Sequence, residues 1–180
     1  MEATLAGIDE SKPFVSINIA VLTVSDTRTA ANDTSGDTLI GRIEAKGHKV
    51  YARKILPDDQ KGLRKQLAVW CATPEIDVII STGGTGVTGR DVTVEVHRTL
   101  YEKEIPGFGE LFRWISYQKI GTSTVQSRAT AGVCQGTYMF ALPGSTGACK
   151  DAWDEILTYQ LDIRHKPCNF VELMPRLMER

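Results

Sequence analysis

The patterned part of the chain begins at Ile17–Ser25 (INIAVLTVS), which is nearly continuous in apolar and β-branched residues. Such a run predicts a strand covered on both faces, not one that alternates between core and water. A polar stretch over Asp26–Ser35 follows. Leu39, Ile40 and Ile43 then recur at helical spacing up to Gly47, a residue suited to ending a helix. Lys49–Leu56 reads as a second strand. The turn Pro57-Asp58-Asp59 can cap a helix whose inner face carries Leu63, Leu67 and Trp70. Asp77–Ser81 predicts a third strand, with a glycine-rich loop and a helix over Thr93–Leu100 after it. Phe108, Leu111, Phe112 and Ile115 form one stripe of a helix that follows Pro106-Gly107, with Trp114 and Tyr117 off the stripe. Ile120–Gly132 shows no dominant period. Thr137–Leu142 predicts a fourth long strand. Pro143-Gly144-Ser145-Thr146 then leads into a helix with Ala148, Ala152 and Ile156 on one row and Trp153, Leu157 and Leu161 on the next.

Strands that are apolar throughout and alternate with helices predict an α/β fold, with a mainly parallel sheet and helices on both faces. Ligands of such folds gather at the carboxyl ends of the strands. The residues expected there are Ser25-Asp26, Pro57-Asp58, Thr82-Gly83-Gly84-Thr85-Gly86 and Pro143-Gly144-Ser145. Every one of these turns is polar or glycine-rich.

At 180 residues the chain fits one domain, read here as an N-terminal arm over 1–14, a domain over 15–170 and a tail over 171–180. Lys+Arg (21) nearly balances Asp+Glu (22). Neither nucleic acid nor an anionic membrane is therefore an expected partner. No apolar run is long enough to span a bilayer, and Met1–Ser11 lacks the basic start and apolar stretch of a signal peptide. Cys71, Cys134, Cys149 and Cys168 stand alone in sequence, so the cytoplasm is the expected compartment and the first three read as packed thiols. His48, His97 and His165 are too widely spaced to suggest a metal-ligand pair, and His97 reads as structural.

The loop Ser81–Asp91 reads STGGTGVTGRD. Contiguous small residues let a backbone approach a ligand and aim N–H groups at an anion. Gly84-x-Gly86-x-x-Gly89 also satisfies a dinucleotide fingerprint on paper. That fingerprint belongs after a first strand and wants an acidic residue at the end of the next one. Here the loop follows the third strand, and Glu110, at a suitable distance, lies in a helical pattern. A nicotinamide-dinucleotide enzyme is therefore the distant alternative. Asp91 points elsewhere. A carboxylate beside a phosphate-cradling loop repels polyphosphate unless a cation such as Mg²⁺ stands between them. Asp58, from a neighbouring strand end, can supply a second carboxylate. The pair suits phosphoryl or nucleotidyl transfer. The simpler alternative is that Asp58 and Asp91 only cap helices. Arg128, next to Ser127 in a polar loop, is a phosphate candidate.

The ordered series VLTVSD, DTSG, PDD, STGGTGVTGRDVTVE, PGFGE, QSR and LPGST runs from about Ile17 to Asn169. It resembles the MoaB/MogA family of molybdenum cofactor biosynthesis proteins. Gly-Thr-Ser-Thr at Gly121, PGST at Pro143 and the late Pro-Cys-Asn resemble its MoaB branch. The resemblance implies a three-layer α/β/α sandwich that binds molybdopterin, a pyranopterin dithiolene with a terminal phosphate. It also implies transfer of AMP from ATP to that phosphate, with Mg²⁺ and release of pyrophosphate. Carried over by motif, Asp58 and Asp91 match the acidic residues of metal and catalysis, and Gly83, Gly84 and Thr85 match the molybdopterin loop. Ser127 matches a terminal-phosphate position, and Ser25, Asp26 and Asp33 match the loop after the first strand. Val94 departs from a proline common in relatives, which removes only a little rigidity. A protein of the same branch that binds molybdopterin or acts as a scaffold without adenylylating it is the alternative. The resemblance further implies trimers or hexamers. Trp114 and Tyr117 offer a physical basis, since a helix apolar beyond one stripe must bury a second face. The other reading packs those aromatics under the segment from Gly121 to Gly132.

Overall fold

A computed structural model describes residues 7–179 of the chain. Of the expected N-terminal arm, residues 1–6 lie outside the described residues, as does residue 180 of the tail. The elements in chain order are β1 (Gly7–Ile8), β2 (Asn18–Val24), α1 (Thr34–Lys46), β3 (Lys49–Leu56), α2 (Gln60–Cys71), β4 (Val78–Thr82), α3 (Thr93–Leu100) and β5 (Lys103–Glu104). They continue with α4 (Pro106–Ile120), a 3-10 segment (Gly121–Gln126), β6 (Thr130–Cys134), β7 (Thr137–Leu142) and α5 (Thr146–Ala152). Helix α5 runs on through a π-helical turn (Trp153–Leu157). Strand β8 (His165–Lys166) then pairs antiparallel with β1.

The main sheet has six strands in the order β3-β2-β4-β7-β6-β5. The first four are parallel, while β6 runs antiparallel to β7 and β5 to β6. The sheet is thus mainly parallel and sandwiched between helices, as the alternating pattern predicts. Each strand feeds side chains to both faces in turn. Ile19 and Val21 of β2, Val78 and Ile80 of β4 and Tyr138, Phe140 and Leu142 of β7 pack with α1, α4 and α5. Ala20, Leu22, Ile79 and Met139 pack with α2 and α3. This division explains the unbroken apolar runs of β2, β4 and β7, in which both registers are core, whereas β3 at the sheet edge is half-buried to exposed.

Several polar groups inside the fold are matched, whereas His48 Nε2, Arg53 Nε, Thr93 Oγ1 and His165 Nδ1 find no partner among the described residues. Asp33 caps α1 through the Gly36 N–H (2.9 Å), accepts from Thr23 Oγ1 (2.8 Å) and pairs with Arg53 (2.8 Å). Burial works to raise its carboxyl, but the hydrogen bonds from Arg53, Gly36 and Thr23 outweigh burial and hold it below the usual range. His97 is fully buried between Ser81 Oγ (2.9 Å) and Tyr101 Oη (3.1 Å). Burial pushes His97 down to about 3 and His48 down to about 4. Cys71, Cys134 and Cys149 are buried, and burial raises all three thiols.

The two histidines set an acid sensitivity. Both bind a proton near pH 6.5 in the unfolded chain but stay neutral in the fold well below it. The unfolded state therefore binds more protons as pH falls, so stability must fall with it. Between pH 6.5 and 5.5 the loss is expected to reach about 2 kcal/mol for the pair. Urea unfolding at the two pH values checks this, and an unchanged midpoint would refute it.

Among the described residues no helix is long and apolar enough to cross a membrane.

Candidate functional site

The carboxyl ends of β2, β3, β4 and β7 lie along one edge of the sheet, as their parallel pairing requires. The loop after β4 enters this edge through a backbone that only glycine suits. Gly83 and Gly84 have φ of 98° and 62°, in the left-handed region. A side chain at Gly83 would collide with the carbonyl oxygen of Val24. The Gly83 N–H donates to Leu142 O (3.0 Å), and the Thr93 N–H donates to Gly84 O (2.9 Å). The loop is thereby tied to β7 on one side and to α3 on the other.

The turn after β7 packs against it. Gly144 comes so close to Gly83 that a Cβ there would stand 3.1 Å from the Gly83 Cα. Ser35 Oγ donates to Gly144 O (2.8 Å), and Thr82 Oγ1 donates to Pro143 O (3.0 Å). Ser145 caps α5 through the Ala148 N–H (3.1 Å). These contacts fix one wall of a cavity of about 450 Å³. Gly83, Gly84, Thr85, Gly86, Asp91, Ser127, Pro143, Gly144 and Ser145 all line it, together with Phe112, Ser116, Ser123 and Gln126. Phe112 and Ser116 come from α4, and Ser123 and Gln126 come from the 3-10 segment, where the sequence gives no clear period. A smaller cavity of about 220 Å³ lies across Gly83 and Gly84 and includes Ser25, Asp33 and Arg28.

Asp58 follows β3, which is not the neighbour of β4, because β2 stands between them. Asp58 still reaches the glycine loop: a Cβ on Gly84 would lie 2.5 Å from Asp58 Oδ1. Asp91 takes the corresponding place at Gly86, where a Cβ would lie 2.7 Å from Asp91 Oδ2. Each carboxylate therefore sits against a glycine that makes room for it. Neither caps a helix. Asp59 caps α2 through the Gly62 N–H (2.7 Å), and α3 has no side-chain cap at Val92. Asp91 instead accepts from Thr88 Oγ1 (2.6 Å) and the Thr88 N–H (2.9 Å). The Thr88 hydroxyl leads the groups that hold the Asp91 carboxyl below its usual range. Asp58 is shifted the other way, first by burial and then by the charges of Asp26 and Asp91. Asp26 is paired with Arg90 and accepts from the Asp58 N–H (3.2 Å).

Arg128 lies beside the loop but its charge is engaged. It pairs with Glu95 and donates to Thr85 O (3.2 Å) and Asp91 O (3.4 Å). It lines a separate depression of about 260 Å³ rather than the main cavity, whereas Ser127 borders both. Arg128 thus ties the middle of the glycine loop, at Thr85, to its end, at Asp91. Glu95 and Arg53 carry no signal in the sequence, since their partners Arg128 and Asp33 lie 33 and 20 residues away, and Thr93 is one hydroxyl among many.

Asp26, Asp58 and Asp91 thus gather beside the glycine loop, with Arg90 paired to Asp26 and Arg128 to Glu95. Among the described residues no group of three or more His, Cys, Asp or Glu side chains could hold a metal by itself. Asp58 and Asp91, both half-buried, are the residues that would hold Mg²⁺, which keeps several waters and takes further oxygens from substrate phosphates.

The family model described as "Probable molybdopterin binding domain" matches residues 20–163. Molybdenum cofactor biosynthesis protein B of Escherichia coli (strain K12) is 45% identical over 160 residues, which cover 89% of this chain and 94% of that protein. Among solved structures, a molybdenum cofactor biosynthesis protein B superposes with a TM-score of 0.81 at 38% identity, covering 83% of this chain and 94% of that one. The tungsten cofactor synthesizing protein MoaB from Pyrococcus furiosus superposes with a TM-score of 0.72 at 36% identity, covering 79% and 91%. The matched region contains the glycine loop, both carboxylates and the turn after β7, and on this ground the chain belongs to the MoaB/MogA family of molybdenum cofactor biosynthesis proteins.

Proposed function

We propose that the protein binds molybdopterin at the carboxyl edge of the sheet and joins it to AMP from Mg-ATP. The observation that carries this reading is the glycine loop Gly83–Gly86, with one carboxylate, Asp58 or Asp91, set against each of two of its glycines. The cavity of about 450 Å³ falls within the usual size of small-ligand sites. The backbone of Gly83–Thr85 and the turn Pro143–Ser145 hold the pterin, and Ser127 receives its terminal phosphate. In the reaction an oxygen of that phosphate attacks the α-phosphorus of ATP. The new P–O bond forms as the bond to the bridging oxygen breaks, and pyrophosphate leaves with the electron pair. The substrate phosphate is itself the nucleophile, so no side chain need be covalently modified. Bound Mg²⁺ would neutralise phosphate charge; Asp58 and Asp91 are the residues that would hold it. Arg128 keeps the loop in place through its two carbonyl contacts.

The test is to incubate purified protein with molybdopterin and Mg-ATP and to measure pyrophosphate. Stoichiometric release overturns the alternative of a binding or scaffold protein. Pterin binding without pyrophosphate selects that alternative, and no pterin binding overturns both.

The active assembly is proposed to be a homo-oligomer built on trimers. Trp114 is 64% exposed and Tyr117 53% exposed, so neither is packed under the segment from Gly121 to Gly132. Leu111 and Ile120 are also exposed on α4. Such exposure marks an interface, and aromatic anchors supply much of the energy of one. Light scattering at micromolar concentration is expected to give at least a trimer mass, and Trp114→Ala is expected to shift it toward monomer. A monomer mass for the wild type would refute the assembly.

A further inference from the structure

Thr93 is the first residue of α3 and is 1% exposed. Its N–H grips the glycine loop at Gly84 O, but its hydroxyl has no hydrogen-bond partner among the described residues. A side chain on Gly84 would strike both Thr93 Oγ1 and Asp58 Oδ1. The two oxygens therefore border one small space beside the loop. Asp58 presents the complementary lack. Among the described residues no side chain donates a hydrogen bond to its carboxylate, and the Asp58 N–H is turned to Asp26. A buried donor without an acceptor thus stands next to an acceptor without a side-chain donor.

We propose that Thr93 is a positioning residue for Asp58: when a divalent cation binds, the Asp58 carboxylate turns to accept from the unpartnered Thr93 hydroxyl, which sets the orientation in which Asp58 and Asp91 together receive the cation. The inference rests on the reading of these two aspartates as the cation-holding pair. Thr93 itself stays under the loop and does not touch the cation. Its place suits the task, because the same residue fixes Gly84 through its N–H and would fix Asp58 through its hydroxyl. Loop and carboxylate would then be set by one rigid point at the start of a helix. Outer partners of this kind orient the ligands they touch, and their removal weakens metal binding about 10- to 100-fold.

Mn²⁺ serves as the probe, with free ion measured by electron paramagnetic resonance in the absence of nucleotide and pterin. Thr93→Val removes the hydroxyl and keeps the shape, and Thr93→Ser keeps the hydroxyl. Thr93→Val is expected to bind Mn²⁺ about 10-fold more weakly at an unchanged melting temperature, and Thr93→Ser is expected to bind like the wild type. Should the valine variant not fold, Thr93→Ala carries the same expectation. Wild-type affinity in the folded valine or alanine variant overturns the role of Thr93 alone. Equal weakness of the serine and valine variants overturns it as well. Mn²⁺ binding that is absent from the wild type, or that persists in Asp58→Asn and Asp91→Asn, overturns the cation-holding reading beneath it.

Discussion

Asp91→Asn is expected to keep its fold and to release pyrophosphate from molybdopterin and Mg-ATP about 100-fold more slowly than the wild type, or slower still. The fold survives because the asparagine carbonyl can still accept from Thr88 Oγ1 and the Thr88 N–H, the contacts that close the turn. What disappears is the charge beside Gly86. Asp91 is the carboxylate held in its ionised form at acid pH, with the Thr88 hydroxyl as the leading cause. Asp58 is set against Gly84, not Gly86, so it does not occupy the place of the lost charge. Where catalysis consists of placing phosphates and balancing their charge, one misplaced or missing charge falls on the transition state directly. Single-turnover rates at saturating Mg-ATP read the effect. A wild-type rate in a folded Asp91→Asn protein would sink the assignment.

Gly83→Ala is expected to lower stability by about 3 kcal/mol and to abolish pterin binding. Two causes add. A left-handed φ of 98° strains any residue with a Cβ. The new methyl would also run into the Val24 carbonyl, a backbone atom that cannot turn aside as a flexible side chain can. Relief requires β2 and β4 to part at the edge where the ligand sits, or the loop to leave Leu142 O. Gly89→Ala is the control, because a Cβ there meets nothing within 4 Å. Urea unfolding and pterin fluorescence titration of both variants provide the measurement. A Gly83→Ala protein that binds pterin normally would refute the loop as the ligand wall.

The long elements were legible because their periods are strong. Lys49–Leu56, Thr93–Leu100 and Thr137–Leu142 form over the residues that their patterns predict. Strand β6 was not visible in Ile120–Gly132, since Thr-Ala-Gly-Val-Cys offers small residues and little alternation. Its strand state comes from pairing with β7 and from the close fit of Gly132 against the Tyr101 ring. A local signal did exist. Gln135-Gly136, both at positive φ, makes the two-residue turn that turns β6 back into β7.

At the site, the sequence by itself determined where glycines, carboxylates and polar turns follow apolar strands. That is local information, and parallel strands carry it to one edge. It could not decide which partner each polar group takes. Among two adjacent aspartates, Asp59 became the helix cap and Asp58 was left facing Gly84. Arg128, adjacent to Ser127 in sequence, turned to Glu95 and two loop carbonyls because α3 brings them within reach. Thr93 was one hydroxyl among many until the fold buried it without an acceptor beside Asp58. Period and turn chemistry act over a few residues and so can be read from the chain. Hydrogen-bond partners and burial join residues far apart in sequence, and only the packing of helices on the sheet chooses among them.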